Sequence, residues 1–251
     1  MPTFENQVVF VTGAASGIGH ATAAYFMARG AQVFATDLNK QGLNEAVSQW
    51  HEQGLPCVAY TLDVSDPSAC EYAMSTCLKQ FGRLDVLCNV AGIGQLTDFA
   101  SLSIEDWERV LRVNTSSVFY LCKFAMPHLL AVKGNIVNVA STAGVVGLPY
   151  NAGYCASKGA VVQFSKALAV EYADRHVRVN VVCPGAVATP LAEQLQPPPN
   201  ANMSLYKRMY PLVQPVATPN EIAHTIGYLA SNDARFVTGT VQIIDGGQTA
   251  I

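Results

Sequence analysis

A short apolar run, Gln7-Val-Val-Phe-Val-Thr12, passes directly into Gly13-Ala14-Ala15-Ser16-Gly17-Ile18-Gly19, and a helical pattern from His20 to Arg29 follows. Few folds accept this order. The run has the continuous apolar character of a strand buried on both faces. The glycines let the backbone turn sharply from strand to helix and leave room for a pyrophosphate to approach the N–H groups at the helix N-terminus. Gly30 and a second apolar run, Gln32 to Thr36, complete a strand–turn–helix–strand unit. A glycine-rich turn alone joins strands to helices in many proteins. Its place after a first strand and before a helix is what points to dinucleotide binding.

Asp37 ends the second run, close to the ~20-residue spacing expected for an acid that binds ribose hydroxyls. A carboxylate there, with Leu38 beside it, accepts from the 2′- and 3′-hydroxyls and repels a 2′-phosphate. No arginine or lysine stands in the glycine turn or next to Asp37; Lys40 is the nearest cation. NAD is therefore expected over NADP. The plainer alternative is that Asp37 caps a helix starting near Asn39.

The alternation then continues along the chain. Helices are expected over Asn39–Glu52, Asp66–Phe81, Ser103–Ala131, Tyr154–Asp174 and Pro219–Ala230. Strands are expected over Cys57–Leu62, Leu84–Cys88, Gly134–Val139, Val177–Val182 and Val237–Ile244. Alternating strands and helices predict an α/β fold, a single domain built on a doubly wound parallel sheet of about seven strands flanked by helices. Asp63-Val64 ends the third strand, and Asn89-Val90-Ala91-Gly92 breaks the fourth at the end where open α/β sheets bind ligands. Asn114 falls inside a helix, as a satisfied core amide or as a bend that holds a water. Proline-rich residues 189–218 interrupt the alternation, with Leu191, Leu195, Met203, Leu205, Tyr206, Met209 and Tyr210 between the prolines. Such an insertion is a lid or a linker. Its apolar content favours a lid over an apolar substrate.

Tyr154-Cys155-Ala156-Ser157-Lys158 places a hydroxyl and an ammonium one helical turn apart on one face. A free phenol, with a pKa of about 10, is a poor base at neutral pH. A neighbouring cation favours the phenolate, which predicts a lowered pKa and proton exchange near pH 7. In isolation the pair would be a packed tyrosine and a solvated lysine. Ser141, at the end of the strand before it, adds a hydroxyl that could face Tyr154 across a substrate carbonyl.

Composition narrows the remaining classes. Only 13% of residues are charged, about half the usual ~25%. So low a charge suggests surface buried against copies of the same chain. The formal net charge is -3 with no basic run, which leaves no footprint for nucleic acid. No signal segment and no membrane-spanning run is expected. The seven cysteines are scattered without a C-x-x-C and read as reduced core residues of a cytoplasmic protein. Cys155 stands as an alternative nucleophile. No His, Cys, Asp or Glu cluster has metal-ligand spacing, and no catalytic metal is expected.

Taken together, the motifs resemble the classical short-chain dehydrogenase/reductase family, over essentially the whole chain from Val8 to Gly247. Thr12-Gly13-x-x-x-Gly17-x-Gly19 resembles its cofactor turn, and Asp63 its adenine contact. Asn89-Val90-Ala91-Gly92 resembles its Asn-Asn-Ala-Gly motif, with valine in second place. Asn114, Ser141, Tyr154 and Lys158 match its catalytic tetrad. Pro184-Gly185, with Val187 and Thr189, resembles the segment that holds the nicotinamide carboxamide and a nearby phosphate. The resemblance implies a Rossmann-type fold, Tyr154 as general acid/base, Ser141 orienting the substrate oxygen, and Lys158 lowering the tyrosine pKa and binding the nicotinamide ribose. It also implies that Asn114 positions a proton-relay water, and that two long helices form the main interface of a homotetramer. Gln95, Ser141, Ala143, Asn151 and Tyr154 are the expected substrate contacts, with Val145, Leu148 and the apolar residues of 189–218 around them. The expected reaction is NAD-dependent hydride transfer to or from a largely apolar secondary alcohol or ketone. The alternatives are an NADP-dependent 3-oxoacyl (acyl-carrier) reductase, opposed by Asp37, and a catalytically silent NAD-binding sensor, opposed by the intact Ser141, Tyr154 and Lys158.

Overall fold

The structure, a computed structural model, describes residues 3–250 apart from 209, 214 and 215. Met209 and Pro215, counted above in the insertion, lie outside the described residues. Seven parallel strands form one sheet in the order β3-β2-β1-β4-β5-β6-β7. They are β1 (Val8–Thr12), β2 (Gln32–Asp37), β3 (Cys57–Thr61), β4 (Val86–Asn89), β5 (Asn135–Val139), β6 (Arg178–Pro184) and β7 (Val241–Ile244). The expected fold class is correct. The final strand is shorter than expected, because residues 237–240 approach β6 as a loop.

Every position of β1, β4 and β5 is buried, so these strands need cover on both faces, and the helices supply it. On one face α1 (Gly17–Met27), α2 (Lys40–Glu52) and α8 (Pro219–Ala230) bury Phe26, Trp50 and Ile226 against the sheet. On the other, α3 (Pro67–Phe81), α5 (Ser117–Val132) and α6 (Ala152–Tyr172) bury Met74, Leu121 and Val161. β1 pairs with β2 on one side and β4 on the other. Strand order reverses there and opens a crevice at the C-terminal ends, the position where such sheets bind ligands.

One expectation needs correction. The long helix read over Ser103–Ala131 is not one α-helix. α4 (Ile104–Leu111) runs into a π turn, Arg112–Ser116, before α5 begins. Residues 160–170 of α6, apolar nearly all round, divide between a face on the sheet and a face left exposed within one chain. Val161, Val162 and Ala169 face the sheet, while Val170 is 81% exposed. Among the described residues no helix is long and apolar enough to cross a membrane.

Candidate active site

The crevice is built from strand ends. Beyond β5, Ser141 caps a 3-10 turn, Thr142–Gly144, and its Oγ accepts from Ala143 N at 3.2 Å. This turn lies so close to α6 that a Cβ on Gly144 would fall 2.7 Å from Lys158 O. The packing brings Ser141 to the first turns of α6, where Tyr154 and Lys158 project on one face. All three line one cavity of ≈ 280 Å³.

Burial governs the chemistry of this group. Lys158 is 4% exposed, and its Nζ donates to Val139 O at 2.9 Å. Loss of water around the ammonium lowers its pKa to about 8. Tyr154 departs from expectation. Burial pushes its phenol above the ordinary value, and the Ser141 hydroxyl is the group that pulls it back. The Lys158 ammonium stands 5.8 Å from the ring centroid and is held by the Val139 carbonyl. In this geometry it does not bring the phenol toward neutrality.

Asn114 lies in the π turn and is fully buried. Its Oδ1 accepts from Ile93 N at 2.8 Å, and its Nδ2 donates to Ile93 O at 2.9 Å and to Ser157 Oγ at 3.1 Å. Ser157 Oγ in turn donates to Tyr154 O at 2.8 Å. The amide therefore ties β4's exit loop to the first turn of α6. A Cβ on Gly92 would fall 3.1 Å from Asn114 Oδ1 and 3.3 Å from Lys158 Nζ, so a side chain there would crowd both groups. Asn114 is a satisfied core amide, and the helix deforms around it.

The other side of the crevice is mostly backbone. Gly13 and Gly17 have φ of +70° and +54°, and a Cβ on Gly19 would overlap Gly13 O. Ser16 stands at the N-terminus of α1 with no side-chain cap bond. Asp37 is not the cap of α2; Asn39 is, accepting from Gly42 N at 3.0 Å. The Asp37 carboxylate instead accepts from Ala15 N at 3.0 Å and Asn39 N at 2.8 Å, which fixes it beside the glycine turn. Leu38 is exposed. Asp63 accepts from Ser65 N and Oγ, with Val64 buried next to it. These residues fit a dinucleotide: a narrow glycine cradle, an uncommitted hydroxyl at a helix N-terminus and a positioned carboxylate.

Ile18, Gly92, Pro184, Gly185, Val187 and Thr189 reach the cavity wall. Asn89 and Ala91 face elsewhere. Asn89 Nδ2 donates to Asn138 Oδ1 at 2.8 Å inside the core, and Ala91 N is taken by Thr12 Oγ1 at 3.0 Å. Of the expected substrate contacts, Ser141, Asn151 and Tyr154 line the cavity, as do Leu148, Leu191, Leu195 and Tyr206. Gln95, Ala143, Val145 and Met203 do not. Gln95 turns behind the wall toward Gly153, Trp107 and Leu102, and Ala143 is packed beneath the Ser141 turn. Leu96, Thr142, Ala186 and Gln248 line the cavity without having been singled out from the sequence. Gln248 is delivered by a turn in which the Asp245 carboxylate accepts from Gly247 N at 2.9 Å and Thr249 N at 2.8 Å. The Asp-Gly-Gly run was its one sequence signal. Cys155 does not line the cavity, and burial pushes the Cys183 thiol up to about 11, so neither thiol has the setting of a nucleophile. Among the described residues no group of His, Cys, Asp or Glu could hold a metal ion.

Comparison with known proteins agrees with this geometry. Residues 13–249 match the family described as Enoyl-(Acyl carrier protein) reductase. A meso-2,3-butanediol dehydrogenase of Serratia marcescens is 38% identical over 98% of this chain and 96% of its own. A 3-oxoacyl-[acyl-carrier-protein] reductase FabG of Thermotoga maritima is 39% identical over 97% of this chain and 98% of its own. A cyclohexanol dehydrogenase of an Acinetobacter species is 36% identical over 98% and 96%. Among solved structures, a dehydrogenase/reductase from Sinorhizobium meliloti superposes with a TM-score of 0.88 at 29% identity, covering 98% of this chain and 96% of that one. Full-length similarity at this level, on a seven-stranded parallel sheet with a glycine turn and a Ser–Tyr–Lys wall, makes the chain a member of the classical short-chain dehydrogenase/reductase family, a nicotinamide-dependent oxidoreductase.

Proposed function

We propose that the chain is an NAD-dependent alcohol dehydrogenase acting on a small, largely apolar secondary alcohol or the matching ketone. The observation that carries this reading is the shared cavity wall of Ser141, Tyr154 and Lys158 at the C-terminal ends of the central strands. When bound, the nicotinamide accepts or returns the hydride. The protein's residues do the rest. Gly13, Ser16, Gly17, Ile18 and Gly19 hold the pyrophosphate, Asp37 and Leu38 the adenosine ribose, and Asp63 and Val64 the adenine. Asn89, Ala91 and Gly92 shape the floor. Pro184, Gly185 and Val187 meet the carboxamide, with Thr189 at the nearby phosphate. Lys158 holds the nicotinamide ribose.

In oxidation, Ser141 orients the substrate oxygen and Tyr154 takes its proton. In reduction, Tyr154 returns it, and a phenol raised by burial holds that proton until the carbonyl oxygen needs it. Both amide hydrogens of Asn114 are already engaged, so a relay water between it and Lys158 would donate to Asn114 Oδ1, which has an acceptor site left beside the Ile93 N–H. The fixed Asp37 carboxylate supports NAD over NADP by repelling a 2′-phosphate. Segment 189–218 acts as a lid, with α7 (Pro190–Gln194) contributing Leu191. A cavity of ≈ 280 Å³ that the substrate shares with the nicotinamide end of the cofactor, below the ~300–1,000 Å³ usual for ligand sites, supports a small substrate. So do relatives named as dehydrogenases of cyclohexanol and butanediol. The exposed apolar face of α5 and α6, with Phe119 and Val170 on it, supports a homotetramer; a monomer by light scattering at micromolar concentration would count against it.

The test is a thermal-shift titration with NADH and NADPH, followed by absorbance at the nicotinamide band with a panel of secondary alcohols. A shift with NADH and reduction of NAD support the reading. A shift with NADPH alone would favour the 3-oxoacyl reductase, the activity named for the Thermotoga relative. Binding of NADH without turnover of any alcohol would favour a sensor.

A further inference from the structure

The segment 189–218 carries a hydroxyl with nothing to bond. Tyr206, in the 3-10 turn Met203–Arg208, lines the cavity, and its Oη is buried with no hydrogen-bond partner among the described residues. Leaving a buried hydroxyl unmade costs about 1–3 kcal/mol. The ring beneath it is well held. It stacks on Tyr150 with centroids 6.0 Å apart and planes at 12°. Tyr150 Oη is itself employed, accepting from Asn202 N at 2.7 Å, and Tyr150 O accepts from Thr97 N at 2.9 Å. Tyr150 has φ +60°, a backbone state that a bulky side chain adopts only under constraint and that clusters at ligand sites. Two tyrosines thus fasten the segment to the rim, and one hydroxyl is left over. The cavity also takes Leu96, Leu148, Leu191 and Leu195, none of which can pair with it. Two side-chain amides, Asn151 and Gln248, also line the cavity; Asn151 Nδ2 donates to Pro149 O at 2.9 Å, and neither amide bonds the Tyr206 hydroxyl.

We infer that Tyr206 is a second oxygen-binding group of the pocket and that the preferred substrate is a short-chain diol or hydroxy ketone, with one oxygen at Ser141 and Tyr154 and the other at Tyr206. This rests on the alcohol-dehydrogenase reading and sharpens it. A monohydric alcohol satisfies the reacting end and leaves the Tyr206 hydroxyl dry and unpaired. A second oxygen on the substrate satisfies both ends at once. Sites with a buried polar group discriminate strongly against analogues that leave it unpaired.

The test compares 2-pentanol with 2,3-pentanediol, alike in carbon skeleton, in the wild type and in Tyr206→Phe. The wild type is expected to favour the diol in kcat/KM. In Tyr206→Phe the preference for the diol over 2-pentanol in kcat/KM should shrink about tenfold or more. The melting temperature of Tyr206→Phe without ligand should equal or exceed the wild type, since an unsatisfied hydroxyl is removed. Equal effects on both alcohols, no effect on either, or a clear fall in melting temperature would overturn the inference while leaving the dehydrogenase reading intact. Failure of the wild type to oxidise either alcohol with NAD or NADP would instead remove the reading on which the inference rests.

Discussion

The two halves of the crevice are built differently. Around β1 and β2 the site is backbone: positive-φ glycines, a helix N-terminus, and a carboxylate pinned by two N–H groups. Around β5, β6 and α6 it is side chains: Ser141, Tyr154 and Lys158, with burial moving the proton affinities of the last two in opposite directions. In the proposed function one half recognises by shape and the other reacts by titration. The first should be damaged by adding atoms, and the second by removing them.

The sharpest test of that contrast removes one oxygen. Tyr154→Phe should lower kcat by about 10³-fold or more, within the range for losing a general acid/base, and leave NADH affinity within about twofold. Turnover like the wild type would end the assignment of Tyr154. Adding one carbon on the other side should have the reverse profile. Gly19→Ala forces a methyl onto Gly13 O. It should weaken NADH binding about 100-fold and cost about 1–3 kcal/mol of stability by overpacking, read by fluorescence titration and melting. Tight binding in that variant would mean that the glycine turn is not the cradle.

Lys158→Met should separate function from stability. A buried ammonium with its pKa lowered to about 8 is costly to keep charged. The folded state holds that proton less tightly than the unfolded chain, so the penalty is full below pH 8 and is relieved as pH rises toward 10.5. The variant should therefore be inactive yet about 1–3 kcal/mol more stable at pH 7, allowing for the partner that Val139 O loses. Its advantage should shrink between pH 8 and 10. A less stable variant at pH 7 would show that Lys158 is better solvated than its 4% exposure indicates. The mildest change is Asp37→Ser, which should shift the NADH-to-NADPH affinity ratio about tenfold toward NADPH by removing one like charge, with kcat for NAD nearly kept.

The backbone half was the easier to read from sequence. Its signals are local: a strand, three glycines and an acid at fixed offsets, all within residues 8–37. Tyr154 and Lys158 were legible for the same reason, being one helical turn apart. What escaped depends on partners far away in the chain. Asn114 was marked as an odd residue, but the π turn around it is set by Ile93 and Ser157, 21 and 43 residues distant. Gln248 enters from the far end of the chain. Gln95 looked like a pocket residue because its loop leaves β4 at the crevice, yet the side chain turns toward Gly153 and Trp107. The apolar side chains of 189–218 suggested a cover, but the Tyr150–Tyr206 stack joins segments more than fifty residues apart and has no period to announce it.

The π turn at Arg112–Ser116 also sets the phase of the helix that follows it. In an unbroken α-helix each residue advances about 100°. On that count the buried stripe of α5, running through Val118, Leu121, Cys122, Ala125 and Leu129, would point about a quarter-turn away from Val110, the buried residue of α4. One extra residue in a wide turn takes back one such step and brings both stripes onto the same line. The irregularity that delivers Asn114 to the crevice is thus also the adjustment that lets α4 and α5 share one buried line. Regularising the coil at its present length would swing the inner surface of α5 away from the sheet by about 100°, whereas deleting Thr115 with it would keep that surface in place. Evolution of this chain can exchange the residues of that turn, or drop one and close it, but it cannot straighten the turn at its present length without re-indexing every contact downstream to Val132.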